Sequence, residues 1–558
     1  MTRTRLILHT ALALCLLPGE LPAQQAVTPP TLGVATNFGQ GWKPDMMQAA
    51  RDMPVTDFRD AVYWSDIEQS DGSYVYDRME ETWPDLLPDF GAGMSLTVNN
   101  GHPYWDDWNT PVEPDAVAAF ANFAAEAVQR FPAIHSVEVG NEMNSATFVA
   151  GPGWDTDLAT RAVSYTALLA ETAQAVKAAR PEVRILGGAA HSVSLTWLGA
   201  LFEAGAGEHM DAVVVHPYGV EPEHLGAQLS LMRQLPGAET LPIEITEFGH
   251  TDPDIAPYYL LKSYCQMALS GVTRVIWYPL NPRGDGLVPL VEKSGAITPV
   301  GKTYLMLEEL AQDGDITPFR PDPFTYGCQF GKRHLILWGE PRDMALAAGV
   351  QVRSADARTM APGKARMTAE HPVVLSHADD VLDAISLGPQ RIIADSVHQF
   401  AFDGVGDPFD RLVASARDTA PFEIRPGQEK NGAPWSPYLG SGWDGVLRAG
   451  PDWVLPSAPS AGPLGVLYRY VPPQRMNAEV TVDIAPSERS EDGVDLTITA
   501  GGVEVFADRI TGPTQIGPLP VKLRKRRPLE VRVGPGETSR GDFTRLKVTL
   551  RQPNESDS

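Results

Sequence analysis

The sequence predicts an α/β fold, a (β/α)8 barrel, followed by two all-β sandwich domains. Three features carry this expectation. Eight short apolar runs recur between residues 32 and 280, helix-like Ala-rich stretches separate them, and beyond about residue 315 the texture changes to short strands alternating with turns.

The eight runs are LGVATNF (32–38), DFRDAVYW (57–64), MSLTVNN (94–100), SVEVGN (136–141), RILGGAA (184–190), AVVVHPY (212–218), IEITEFG (243–249) and RVIWYPL (274–280). Their starts are about 35 residues apart, the pitch of one strand–helix unit, and parallel strands covered on both faces read as such runs. Between them, 114–131 and 158–180 carry apolar residues at helical spacing; Asp115 after Pro114 marks an acidic helix start, and Pro181 ends the second helix. Residues 300–310 read as the last barrel helix. No Gly-rich dinucleotide turn follows the first run, which argues against a doubly wound sheet.

The barrel is assigned residues 24–315, a small β-sandwich 316–391, and a C-terminal jelly-roll-like sandwich 392–558. Strand patterns such as AEVTVDI (478–484) and RLKVTLR (545–551) support the last, with Ala500-Gly501-Gly502 as a hairpin turn. The basic run KLRKRR (522–527) reads as a solvated loop leading into a strand.

The formal charge of −25 makes nucleic acid or an anionic membrane an unsuitable general partner. Residues 1–23 read as a signal peptide: Arg3 and Arg5, then an apolar run from 6 to 18 too short to span a bilayer, then a cleavage point after Ala23. A secreted or periplasmic protein with no stable membrane anchor is expected. Cleavage leaves Cys265 and Cys328, which fall in different predicted domains; two buried free thiols are expected, although an oxidising compartment would allow them to pair. No Cys/His cluster has zinc-ligand spacing and no phosphate-binding Gly loop occurs, so neither metal nor cofactor is expected.

Two runs end on a carboxylate. Glu142 follows Asn141 at the end of the fourth, and Glu247 closes the seventh. Catalytic groups of a barrel sit where strands meet the loops of the C-terminal face, and these two strand ends face each other across the mouth. Two facing carboxylates suit glycoside hydrolysis. Glu244, three residues before Glu247, is expected to face the other side by strand alternation, and Glu138 to lie deeper in the barrel.

The Asn-Glu pair and the Thr-Glu-Phe-Gly of residues 246–249 resemble clan A glycoside hydrolases, and most of all the family 39 group, which includes xylosidases and secreted endoglycosidases of exopolysaccharide. The segment 59–77 resembles that group's Arg…Trp…Glu-x-x-x-Gly-x-Tyr pattern, with Gln69 where proline is usual, and HPYG (216–219) resembles its His-x-Tyr. The resemblance covers about 280 residues and is only architectural for the β domains. It implies a retaining glycosidase with Glu142 as acid/base, its pKa raised by the neighbouring nucleophile, and Glu247 as that nucleophile. It further implies that Asn141 grips a sugar hydroxyl, Arg59 orients carboxylates, Tyr218 steadies the nucleophile with His216 beside it, and Trp277 stacks on a sugar. His102 and Trp105, after the third run, are candidate contacts to a carbohydrate polymer or oligosaccharide. The C-terminal sandwich is expected to stand apart from the chemistry, as a glycan-binding module or a structural support. A transglycosylase and a non-catalytic polysaccharide-binding matrix protein stay open as alternatives.

Overall fold

The computed structural model describes residues 26–41, 44–99, 101–430 and 435–553, so the expected signal segment lies outside the described residues. Eight parallel strands close into a barrel in chain order: β1 (Thr31–Ala35), β2 (Asp57–Asp60), β3 (Gly93–Val98), β4 (Ile134–Val139), β5 (Arg184–His191), β6 (Ala212–His216), β7 (Ile243–Phe248) and β8 (Val272–Trp277). The helices Pro114–Arg130 and Leu158–Ala179 follow the predicted stretches closely. The side chain of Asp157 caps the second by accepting the Thr160 amide.

Strand alternation sorts the barrel into two environments. Phe58, Val137, Val139, Ile245 and Val275 are buried in the large core shared with the helices. The alternate residues face inward, and much of that interior is ionic. Near the strand starts, Arg274 of β8 pairs with Asp57 of β2 and Glu244 of β7, and Arg184 of β5 also reaches Glu244. Glu244 is therefore not turned out of the barrel; it is fully buried and paired inside, below the mouth. Leu186, Ala212 and Val214 form a small apolar plug at the β5–β6 side. The buried ion pair of Arg274 with Asp57 is costly to break, on the order of 3–5 kcal/mol if one partner is removed.

After the helix Pro299–Ala311, a six-stranded antiparallel sheet covers residues 316–376. Alternation divides it as well. Ile336 and Trp338 join the barrel core, while Leu335 and Leu337 form a separate core on the other face. The sheet is thus packed directly on the barrel, which overturns the expectation of two free thiols. Cys265, on the barrel helix Ala256–Leu269, and Cys328, on the strand Thr325–Phe330, are joined in a disulfide with Cα atoms 5.9 Å apart.

The C-terminal unit is a sandwich of an eight-stranded and a six-stranded sheet around its own core. The strand Met476–Pro486 shows the pattern plainly, with Ala478, Val480, Val482 and Ile484 buried and the residues between them partly exposed. The basic run ends the strand Thr514–Leu523 and forms a tight turn, with Arg524 bridged to Arg527.

Candidate active site

The mouth of the barrel holds a linked set of charged side chains. Glu138, the last inward residue of β4, is completely buried and accepts Arg59 Nε and Nη2 at 2.7 and 2.9 Å. Arg59 has donors left over. Its Nη1 donates to Glu247 Oε2 at 2.7 Å and its Nη2 to Asn141 Oδ1 at 2.7 Å. One planar guanidinium thus orients three side chains from two strands, β4 and β7, a task for which arginine's rigid fork is suited. Tyr218 OH donates to the other oxygen of Glu247 at 2.8 Å. Burial and the charge of Glu247 hold the Tyr218 hydroxyl well above the usual phenol range, so it stays a donor.

Glu247 reaches the mouth through a break in alternation. Thr246, its neighbour, already faces inward, where it bonds Glu138 and His216. A register shift between Ile245 and Phe248 re-aims the strand end, so that Thr246 and Glu247 both serve the site.

Glu142 arrives by a different device. Gly140 takes φ +84°, a left-handed conformation in which an added Cβ would lie 2.5 Å from Met143 Cγ. Glu142 itself sits at φ +44°, strained for a residue with a side chain. The surrounding loop is tied down by Met143 N donating to Ala189 O at 2.8 Å and Asn141 N to Asn99 Oδ1 at 3.0 Å. An oxygen of Glu142 and one of Glu247 lie within 4.8 Å of each other, with a ring nitrogen of His216 in the same group.

His216 stands nearer to Glu142 than to Glu247: its Nδ1 is 3.2 Å from Glu142 Oε1, and its Nε2 is 3.0 Å from Thr246 Oγ1. Burial opposes a charge on this ring, but the carboxylates of Glu138, 3.6 Å from Nε2, and of Glu142, bonded to Nδ1, prevail and push its pKa up to about 9. The same contact decides Glu142. Burial alone would raise its carboxyl, yet the His216 imidazolium, helped by His191 and Arg59, holds it below its ordinary value. The expected upward shift is therefore reversed in the free protein, because a cation stands closer to Glu142 than the sequence reveals. Glu138, beside Arg59 and His216, is brought down to about 2.

Beside Glu247 opens a cavity of about 320 Å³, lined among others by Arg59, Trp64, Asn141, Phe148, Tyr278 and Arg283. Trp277 does not line it. Arg274 fills the barrel interior, so Trp277, three residues on, faces the helical shell; it is fully buried, edge-on to Phe248, with Nε1 donating to Val288 O. Tyr278 takes the place expected for it. His102 is also fully buried, against Trp64, and makes no surface of the mouth. Trp105 is half-exposed and donates to Glu68, and its neighbours Tyr104 and Trp108 are more exposed still.

One contact has no signal in the sequence. Gln428, from the C-terminal sandwich, inserts behind the Glu142 loop. Its Nε2 donates to Asn144 O at 2.7 Å, and its Oε1 accepts Asn144 Nδ2 at 2.7 Å and Ser194 Oγ at 3.1 Å. Asn144 Oδ1 in turn accepts the His191 amide at 2.8 Å. The C-terminal unit does not stand apart from the site as expected.

No family model and no curated protein matches the chain. Solved structures do resemble it. A family 39 glycoside hydrolase from Bacteroides cellulosilyticus aligns with a TM-score of 0.51 at 16% identity, covering 63% of this chain and 81% of that one. A family 39 β-xylosidase from Caulobacter crescentus aligns at 0.43 and 16% identity, covering 63% and 98%. A family 30 endoxylanase from Clostridium papyrosolvens aligns at 0.46 and 12% identity, covering 64% and 98%. At such identities the likeness establishes the barrel fold, and the chemistry must come from the side chains.

Proposed function

We propose that the protein is a secreted, retaining glycoside hydrolase that cleaves O-glycosidic bonds of a polysaccharide or oligosaccharide by double displacement. The observation that carries this reading is the pair Glu142 and Glu247, at the ends of β4 and β7 with oxygens within 4.8 Å. Retaining enzymes hold their carboxyl groups about 5–5.5 Å apart, whereas inverting ones leave about 6.5–9.5 Å for a water.

Each group has a task in that reaction. Glu247, fixed at both oxygens by Arg59 and Tyr218, attacks the anomeric carbon and becomes the glycosyl ester. Glu142 gives its proton to the departing oxygen, then takes one from the water that releases the sugar. In the free protein that proton rests on His216, bonded to Glu142 Oε1. A bound glycan covers Glu142, strips water from its carboxylate and favours its neutral form, which draws the proton across. Asn141, held by Arg59, faces the cavity where a sugar hydroxyl next to the reacting carbon would lie. Tyr278 and Phe148 supply aromatic walls. Export is consistent with the Cys265–Cys328 disulfide, since disulfides persist in oxidising compartments. The xylan-active names among similar structures make xylan the first substrate to try, with bacterial exopolysaccharide next.

The test is a polysaccharide panel followed by proton NMR of the first product formed. Retention of the anomeric configuration is expected. An inverted first product would remove Glu247 from the role of nucleophile, and hydrolysis that survives Glu247→Gln unchanged would do the same.

A further inference from the structure

We infer that the C-terminal sandwich completes a second glycan-binding groove, which takes the leaving-group side of the substrate chain. This rests on the hydrolase reading above and extends it.

The catalytic cavity is built on one arc of the barrel rim, the ends of β1 to β4, β7 and β8. A second cavity, of about 410 Å³, lies on the remaining arc, above β5 and β6. Its barrel wall includes Ser192 and Tyr218; its other wall is the C-terminal unit, with Trp435, Tyr438, Trp453 and Phe543. The two cavities share no lining residue but meet at Tyr218, whose ring lines the second while its hydroxyl bonds Glu247 in the first. The groove therefore begins at the reacting centre.

Its side follows from the neighbours of Glu142. Ser192 bonds His191 at 2.9 Å, and His191 is close enough to act on the Glu142 charge. The opposite cavity holds Asn141 and Glu247, the groups that address the sugar under attack. A chain running from that cavity past Glu142 thus enters the groove with the portion that departs.

The lining has the chemistry of a glycan site. Trp435 and Phe543 stay 41% and 39% exposed, although each would gain by burial. Trp453 stacks on Phe543 with centroids 5.3 Å apart, and Trp435 meets Tyr438 at 6.3 Å. Sugar C–H bonds carry slight positive charge and sit well against the negative faces of such rings. The ion pair of Arg545 with Asp452, at the groove wall, offers a donor and an acceptor to hydroxyls. Arg448 lies over Trp435 at 4.3 Å and braces its ring. The Gln428 bonds to the Glu142 loop, with Leu195 N donating to Pro426 O at 3.0 Å, fix the two walls relative to each other. A groove between rigidly joined walls is preorganised for a ligand.

The experiment uses the full chain and xylo-oligosaccharides of two to six sugars, with cello- and galacturono-oligosaccharides run in parallel, each labelled at the reducing end. For the wild type, kcat/KM should rise with each sugar added on the leaving-group side. Trp435→Ala and Phe543→Ala should flatten that rise and increase KM for the hexasaccharide about tenfold, with bond preference shifted toward the reducing end. Trp435→Phe should restore part of the loss. Circular dichroism and melting temperature confirm that each variant is folded. Cleavage with unchanged KM and bond preference in both alanine variants overturns the groove alone. No cleavage by the wild type of these oligosaccharides or of the polysaccharide panel above overturns the hydrolase reading and the groove with it.

Discussion

Asn141 and Glu142 owe their placement to backbone conformations that cost energy. The glycine before them and the left-handed φ at Glu142 turn the chain at the end of β4, so that amide and carboxylate both look into the mouth. Glu247 needs no such turn, only a shift of register, and its two oxygens are fully engaged by Arg59 and Tyr218. Glu247→Gln should leave the fold intact and reduce kcat about a thousandfold, a barrier increase of about 4 kcal/mol, as measured in steady-state kinetics. The proton shared by Glu142 and His216 makes a second prediction. Its pKa on His216 is about 9, so kcat/KM should fall as pH rises through about 9 and the acid step loses its proton. The charged ring, held by Glu138 and Glu142, also stabilises the fold. Because the pKa in the folded state is raised above the ordinary histidine value, the stabilisation is complete below about pH 6.5 and lost as pH rises through 9, by on the order of 3 kcal/mol. Denaturant melts at about pH 6 and 10 measure it, and His216→Asn should abolish the difference. An alkaline limb that stays put in that variant would assign the proton elsewhere.

At the scale of elements, the barrel interior departs from the usual apolar filling. Arg59–Glu138 and Arg274–Asp57 link strands that are not neighbours in the sheet, so the charges that orient the site also tie the barrel across its axis. Arg59 therefore ties β2 to β4 and positions Glu247 at the same time. The disulfide works between elements, clamping a barrel helix to the first β sheet over a separation of 63 residues. Replacing both Cys265 and Cys328 by serine should destabilise the protein by about 2–4 kcal/mol. Calorimetry of the double variant should show a lower melting temperature with activity at 25 °C retained, since neither cysteine lines the cavity beside Glu247. The interior layers were only partly legible in the sequence. A charged residue within an apolar run announces a buried partner, but which partner depends on barrel closure, as the case of Glu244 shows.

For the whole molecule, the C-terminal sandwich supports the loop that carries Glu142. Gln428 is 2% exposed and sits at φ +49°, held in place by the loop it supports. Gln428→Ala would remove the buried partner of Asn144 O and Ser194 Oγ, a cost of about 1–3 kcal/mol concentrated at the Glu142 loop. We expect kcat to fall about tenfold on a small aryl glycoside, with melting temperature lowered by a few degrees at most. Truncation after residue 391 should abolish activity on that same substrate, because it removes Gln428 together with one wall of the groove. A folded truncation with wild-type kcat would show that the Glu142 loop holds its shape unaided.

The sequence by itself determined the barrel, its eight strands and the two glutamates, because strand periodicity and the Asn-Glu and Thr-Glu endings are local patterns. Arg59 and Tyr218 were legible for the same reason, each standing in a short recognisable stretch. Tertiary structure decided the rest. Whether Trp277 or Tyr278 faces the cavity turns on which face of β8 Arg274 occupies. The proton of Glu142 depends on a histidine from another strand, the Cys265–Cys328 bond on a sheet folding back against the barrel, and Gln428 on a contact spanning 284 residues. These are properties of closure and packing, in which residues far apart in the chain become neighbours, and no local pattern encodes them.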